Sequence, residues 1–167
     1  MSVNLPIHGL FDAIQQTINS LAIYPYRKNK YMKNPLVVSV SIEKPIHEVW
    51  KHWTAIEAIK IWNIPFEDWH CPKAINNLKD GGTFFYRMER KDAMEGFDYS
   101  GVYDRVIPLK SIESTCDDGR KSLVEFYTKE NNTIIRETFE PENTTPVAIQ
   151  QNFTQSVLNR FKAFMEQ

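Results

Sequence analysis

The first apolar pattern along the chain is a helical stripe near its start. Its members recur mostly three or four residues apart, the spacing of one face of an α-helix: Leu10, Phe11, Ile14, Ile18 and Leu21. A polar and basic stretch with one proline, residues 24–31, follows and is typical of a linker. We therefore predict an amphipathic helix over about residues 7–21, within an N-terminal extension of residues 1–35.

Alternation of apolar and polar positions begins directly after that extension. Residues 36–42 are rich in β-branched side chains and alternate, which predicts a strand. Pro45 ends this strand and suits the first turn of a helix. Apolar positions at helical spacing predict two short helices, over residues 46–53 and 55–61. An aromatic and proline-rich stretch, residues 63–72, is predicted to be a loop.

Hairpin signals then follow one another closely. Glycine-containing turns precede two alternating runs, residues 83–89 and 97–103. The turn sequence Asp-Asp-Gly-Arg at 117–120 separates a further pair of strands, and two asparagines at 131–132 separate the last pair. Short strands at this spacing predict an antiparallel meander.

A long amphipathic helix is predicted to close the chain, beginning at Pro146. Its apolar residues recur at helical spacing: Val147, Phe153, Val157, Leu158 and Phe161. A sheet with one apolar face must be covered, and this helix is the only predicted element large enough to cover it. We therefore expect an α+β domain over residues 36–167, with a pocket where the sheet curves away from the helix.

Composition and charge narrow the range of functions. Lys and Arg total 20 against 21 Asp and Glu, and this balance argues against a nucleic-acid partner. No apolar run approaches the roughly 20 residues of a membrane span, and the N-terminal residues lack a signal-peptide pattern. Two cysteines, Cys71 and Cys116, do not make a disulfide framework. We therefore expect a cytoplasmic protein with unpaired thiols.

A series of short segments resembles a known family. Residues 42–50 follow the pattern Ile-x-x-Pro-Ile-x-x-Val-Trp, which resembles the opening of START-like domains. Further matching segments follow in order: 68–74, 81–84, 86–89, 96–103, 117–120 and 137–142. Together they are similar to bacterial homologues of the C-terminal domain of the heat-shock-protein-90 ATPase activator. That branch belongs to the START/Bet v 1-like (SRPBCC) superfamily.

The resemblance covers roughly residues 36–166 and implies the helix-grip fold, a curved antiparallel sheet around a long C-terminal helix. Residues 1–35 depart from it, because the usual bacterial member begins at the first strand. The family name implies a chaperone partner and a role in the stress response. Other relatives are cyclases, dehydratases or hydrolases, and a fold by itself does not decide among such functions.

Aromatic residues on the predicted strand faces and on the long helix form the candidate ligand site. Side chains two apart on a strand share a face, so these rings would surround one space. The alternative is that they only fill the core. Our candidate ligand-binding residues are Trp62, Phe66, Trp69, His70, Phe84, Tyr86, Met88, Phe97, Tyr99, Glu137, Phe139, Phe153 and Val157.

Glu137 is the unusual member of this set. It lies between Ile135 and Phe139 at the strand period, so its carboxylate should point with them onto a buried face. A buried carboxylate is costly unless it is paired. We favour a structural ion pair, although Arg87 should face outward because Tyr86 and Met88 face inward. The alternatives are a polar anchor for a ligand and a general acid.

The segment containing Trp69, His70 and Cys71 gives little sign of catalysis. A zinc site needs three or four ligands, and no second His/Cys pair exists in the sequence. Adjacent His and Cys side chains would also point apart on an extended segment. We expect Trp69 to close the pocket mouth and His70 to hydrogen-bond to the backbone. The four tryptophans near the short helices could form a lid, but core packing is favoured.

These observations favour non-enzymatic binding of a small apolar or amphipathic ligand between the sheet and the C-terminal helix. No cofactor, metal or catalytic residue is expected, because no phosphate-binding loop, dinucleotide fingerprint or nucleophile elbow is present. Two alternatives stay open, a chaperone activator or protein-interaction module and a small cyclase- or hydrolase-type enzyme. The N-terminal stripe must be covered, either by its own domain or by a second copy in a homodimer.

Overall fold

The computed structural model describes residues 32–167. The predicted N-terminal helix and the linker that follows it lie outside the described residues. The homodimer contact that we predicted through that helix also lies outside them. Within residues 32–167, no helix is long and apolar enough to cross a membrane.

Seven strands and three helices make up the described part of the chain. Their order is strand, two short helices, six further strands and a long helix: β1 (Leu36–Ile42), α1 (Ile46–Thr54), α2 (Ile56–Trp62), β2 (Trp69–Asn76), β3 (Thr83–Arg90), β4 (Gly96–Ile107), β5 (Ser111–Cys116), β6 (Lys121–Lys129), β7 (Asn132–Phe139) and α3 (Val147–Met165). This order confirms the predicted α+β class and the long C-terminal helix.

All seven strands form one curved antiparallel sheet in the order β1-β7-β6-β5-β4-β3-β2. Strands β2 to β7 are a meander of consecutive neighbours, and β3 to β7 are the strands of the predicted meander. The first strand closes the sheet at its far end, where Leu36 lies opposite Phe139 and Ile42 opposite Thr133. The predicted helix-grip fold is therefore confirmed: one curled sheet with a long helix against it.

The aromatic segment that we predicted to be a loop ends in strand β2, and that part of the prediction was wrong. Trp69 and Cys71 are buried in alternation with their neighbours, as in a strand. The register against β3 shifts between His70 and Lys73, at Pro72, which has no N–H to donate to the sheet. This bulge interrupts the alternation, so the strand has only a weak signal in the sequence.

Gly101 on β4 allows a close approach that helps the sheet to bend. A Cβ atom there would lie 2.3 Å from the carbonyl oxygen of Thr115 and 2.9 Å from the ring of Phe84. Only a residue without a side chain fits between this backbone and this ring. The register of β4 against β5 shifts two residues later, between Tyr103 and Arg105, and such bulges increase the bend of a strand.

The two halves of α3 have different surroundings. In the C-terminal half, Leu158 and Phe161 are fully buried. Phe161 packs edge-on against Trp53 and Trp62, whose rings stack 4.7 Å apart. This cluster joins the two short helices to the long helix and belongs to the hydrophobic core. The N-terminal half of α3, by contrast, faces an open space.

Candidate functional site

A cavity of about 560 Å³ lies between the sheet and the N-terminal half of α3. Strands β3 to β7 contribute most of its wall, and the stacked rings of Trp53 and Trp62 belong to the lining as well as to the core. Ligand pockets commonly measure roughly 300–1,000 Å³ and are mostly apolar. The cavity therefore has the size and the lining of a site for a small organic molecule.

Ten of the thirteen candidate residues from the sequence line this cavity together. They come from five elements and the rings of most of them face the same space: Trp62, Phe84, Tyr86, Met88, Phe97, Tyr99, Glu137, Phe139, Phe153 and Val157. The alternation of side chains along the strands and the helical spacing along α3 thus lead to one location, the cavity.

The other three candidates lie outside the lining. Trp69 is buried behind it, against the rings of Phe97 and Phe153, and Phe66 is half exposed beside Phe153. The ring of His70 points away, with Nε2 3.0 Å from Oε1 of Glu89. Our expectation that Trp69 closes the mouth and that His70 bonds to the backbone was wrong. Because β2 is a strand, its successive side chains point to opposite faces of the sheet.

Strand β5 supplies lining residues that were not among our candidates. Ile112, Ser114 and Cys116 are buried at every second position and line the cavity. This alternation is visible in the sequence, so the signal existed. Two of the three side chains are small, whereas the predicted site consists mainly of large aromatic rings.

Glu137 is a cavity-lining carboxylate without a polar partner among residues 32–167. Its strand neighbours in register are Val38 on β1 and Val124 on β6, and no cation or hydrogen-bond donor of the described residues reaches it. Burial raises the pKa of Glu137 from 4.5 to about 7. The structural ion pair that we favoured is therefore absent from this part of the chain. Arg87 faces outward, as expected, and pairs with Glu89 and Asp98.

A chain of hydrogen bonds fixes the hydroxyl of Tyr86. The Tyr103 hydroxyl donates to Oδ1 of Asn76 at 2.6 Å, and the Asn76 amide donates to the backbone carbonyl of Thr54. Tyr103 has only one hydrogen to donate, so Tyr86, whose oxygen lies 3.1 Å away, must be the donor to Tyr103. The Tyr86 oxygen is consequently left with acceptor capacity alone.

The two thiols are not activated. Burial raises the pKa of Cys71 to about 11. Burial also raises the pKa of Cys116, and it outweighs the hydrogen bond from the Tyr99 hydroxyl, which lowers that pKa. Neither cysteine is in a disulfide. Thiols in such surroundings stay protonated and unreactive near neutral pH. In the described segment, no group of three or more His, Cys, Asp or Glu side chains could hold a metal ion.

Charged side chains of the lining, apart from Glu137, are mostly held by the protein itself. Arg120 pairs with Asp118 at 2.8 Å, and Glu140 accepts the backbone N–H of Lys121. The pKa of Glu142 is lowered to about 2 by hydrogen bonds from Thr144 and Thr145. Glu137 thus differs from the other carboxylates of the lining, because it has neither a cation nor a donor.

Comparison with protein families gives one match, which covers most of the chain. Residues 43–166 match the model of the family described as Activator of Hsp90 ATPase homolog 1-like protein. Among curated proteins, none is significantly similar in sequence.

Solved structures with the same fold are numerous. An AHSA1-like protein from Aeromonas hydrophila is 34% identical, with a TM-score of 0.71 over 78% of this chain and 92% of that protein. A protein from Cytophaga hutchinsonii is 41% identical, with a TM-score of 0.70 over 80% and 93% of the two chains. The Aha1 dimer from Colwellia psychrerythraea is 17% identical, with a TM-score of 0.63 over 80% and 97%, and shares the fold alone.

Proposed function

The chain belongs to the family of Activator of Hsp90 ATPase homolog 1-like proteins, and from that premise we propose that it binds a small hydrophobic or amphipathic molecule in the cavity between its sheet and α3. The observation that carries this proposal is the cavity itself, about 560 Å³ in volume and lined mostly by apolar side chains. An apolar wall releases water when an apolar guest enters, and this release drives binding.

The proposed function is non-enzymatic. Glu137 is the candidate acid of the cavity, and it makes no hydrogen bond to a second titratable group within residues 32–167. A general acid–base mechanism needs such partners within reach of the reacting atoms. The arrangement of one carboxylate in an apolar wall suits the holding and orientation of a guest.

Blocking the cavity tests this proposal. Val157 lines the cavity from α3, so Val157→Trp should fill the space and weaken binding of the neutral dye Nile red at least about tenfold, a loss of about 1.4 kcal/mol. Fluorescence titration measures the affinity. A native mass spectrum of the purified protein would in addition reveal a guest that co-purifies.

The matched control is the same substitution on the opposite face of the sheet. Val102 is 38% exposed and lies on β4 opposite Thr83 and Thr115. Val102→Trp should leave dye binding unchanged, and circular dichroism should show both variants folded. Equal dye affinity in the wild type and in Val157→Trp would refute binding in the cavity.

A second candidate function is favoured by the family description, which names an activator of a chaperone ATPase. Such a role would use the outer surface of the domain rather than the cavity. The two functions are therefore separable by variants that fill the cavity without changing the surface.

A further inference from the structure

Two polar groups of the cavity lining have acceptor capacity that no described donor fills, the Glu137 carboxylate and the Tyr86 hydroxyl oxygen. The Glu137 carboxylate has no donor among the described residues, although it is largely removed from solvent. The Tyr86 hydroxyl gives its hydrogen to Tyr103, so its oxygen can only accept a further hydrogen bond. The Ser114 hydroxyl can donate or accept, and so does not alter this balance.

The aromatic rings of the cavity wall also favour a positively charged guest. The rings of Phe84, Tyr86 and Tyr99 lie together in the wall, with centroids 5.3 Å apart for Phe84 and Tyr99 and 6.4 Å apart for Tyr86 and Tyr99. The face of an aromatic ring carries partial negative charge and attracts a cation, most strongly where water is excluded. Ring faces and an unpaired carboxylate in one cavity therefore favour a positively charged group.

Resting on the binding function proposed above, we propose that the guest is an amphipathic amine whose ammonium group pairs with the Glu137 carboxylate while its apolar part fills the aromatic cavity. An ammonium carries only donors, and the acceptors Glu137 and Tyr86 are those left without a donor. A buried carboxylate is costly without a partner, so a cationic guest supplies the partner that the described residues do not provide.

No cation of the described protein substitutes for this guest. Arg120 lies at the β5–β6 turn and is held by Asp118. Lys121 begins β6 at the edge of the lining. Neither contributes to the pKa of Glu137, which is set by burial. Strand β1 and helix α3 present only uncharged residues toward Glu137, among them Val38 and Phe153.

The tyrosines and the cysteine around Glu137 stay neutral near pH 7, and the other carboxylates of the lining are held by the protein, so the pH dependence of binding should report on Glu137 itself. Burial raises the pKa of Tyr86, Tyr99 and Cys116 above their ordinary values. The three mouth carboxylates, Asp98, Glu140 and Glu142, line the cavity as well; Asp98 is paired with Arg87, and the other two accept backbone N–H bonds.

Three probes with one chain length test the proposal: n-decylamine, n-decanol and n-decanoic acid. Isothermal titration at about pH 8 should give at least about tenfold tighter binding of the amine than of the alcohol or the acid, as expected for one charge-assisted hydrogen bond. Glu137→Gln keeps the shape of the side chain but removes its charge, and should abolish the preference. The matched variant Glu113→Gln, on the face of β5 opposite the lining residues Ile112 and Ser114, should retain it.

A second readout follows from proton linkage. An alkylammonium stays charged up to about pH 10, so the charge of the guest does not change near neutrality. Binding of the amine should weaken about tenfold from about pH 8 to about pH 6, because the ionised carboxylate becomes the minor form. At about pH 6 binding should also release a proton, seen as a dependence of the heat on the buffer, and Glu137→Gln should release none.

The outcomes separate the two proposals. If all three probes bind with similar affinity, or if the acid binds most tightly, the assignment of an amine is overturned while binding in the cavity stands. A preference for the amine that survives in Glu137→Gln also overturns it. If none of the probes binds, the binding function and the amine assignment both fail.

Discussion

At the scale of single residues, Glu137 is a cavity-lining carboxylate that departs from ordinary burial. Carboxylates in apolar surroundings are normally paired, because the charged form loses its hydration. Glu137 has neither an ion pair nor a hydrogen bond within the described residues, and burial raises its pKa to about 7. Without a guest, this side chain lowers the stability of the fold above pH 7, and such a cost is typical of functional sites.

Replacement of Glu137 should therefore stabilise the protein at alkaline pH. Between pH 4.5 and about 7 the folded state holds a proton that the unfolded state has lost, so the stability contributed by this group falls as the pH rises through that range. Glu137→Gln should exceed the wild type in free energy of unfolding by about 1–3 kcal/mol at about pH 8. The difference should vanish below about pH 4.5, where both states of the wild type are protonated.

Urea denaturation monitored by tryptophan fluorescence measures this difference. Glu140→Gln is the control, because Glu140 lies at the mouth and its carboxylate is hydrogen-bonded to the backbone N–H of Lys121; it should bring no gain in stability. Equal stability of Glu137→Gln and the wild type at about pH 8 would mean that the carboxylate is not strained by burial.

At the scale of elements, α3 combines two tasks along one helix. Its C-terminal half completes the core through Leu158, Phe161 and Met165, whereas Phe153 and Val157 in its N-terminal half line the cavity. The sequence shows one continuous amphipathic stripe over this helix. The division arises because rings of α1 and α2 pack against Phe161 and Phe164 on its later turns, whereas Phe153 and Val157 on its earlier turns line the space that the curved sheet leaves.

The same substitution, phenylalanine to alanine, in each half of α3 should separate its role in the core from its role in the cavity. Phe161→Ala removes a fully buried ring and should lower the free energy of unfolding by about 3–5 kcal/mol. Phe153→Ala removes a half-buried ring beside an existing cavity and should cost clearly less, while it changes the affinity for Nile red. Chemical denaturation and dye titration of both variants test this. Similar losses of stability would contradict the division of α3.

At the scale of the whole molecule, the curvature of the sheet creates the site. Gly101 and the bulge after Tyr103 bend strand β4, and the meander carries this bend across neighbouring strands. A curved sheet and a straight helix cannot stay in contact along their whole length. The space that remains is the cavity, and most of its wall comes from five consecutive strands, β3 to β7.

The chaperone candidate also belongs to this scale, because it concerns the outer surface. The family description names an activator of a chaperone ATPase. If this chain has that activity, a saturating amount of it should raise the ATPase rate of a heat-shock-protein-90-type chaperone. Val157→Trp, which fills the cavity, should leave that stimulation unchanged. A coupled ATPase assay measures the rate. An unchanged rate at saturation would remove this candidate, and stimulation that Val157→Trp abolishes would place the cavity in the interaction.

Much of the fold could be predicted from the sequence, because local patterns report local structure. The alternation in residues 36–42, the turn sequence at 117–120 and the stripe that begins after Pro146 led to the elements observed. The motif series led to the family, and its match extends over residues 43–166. Strand β2 escaped prediction because Pro72 and the bulge break its period.

The sequence by itself thus determined the family, the order of the elements other than β2, and the faces that carry most of the cavity rings. Only the tertiary structure decided that His70 turns outward to Glu89, that Ser114 and Cys116 join the wall, and that Glu137 lacks a partner. The physical reason is the range of the interactions. Periodicity follows from the geometry of one element, whereas the pairing of a buried carboxylate depends on side chains that distant strands bring within a few ångströms.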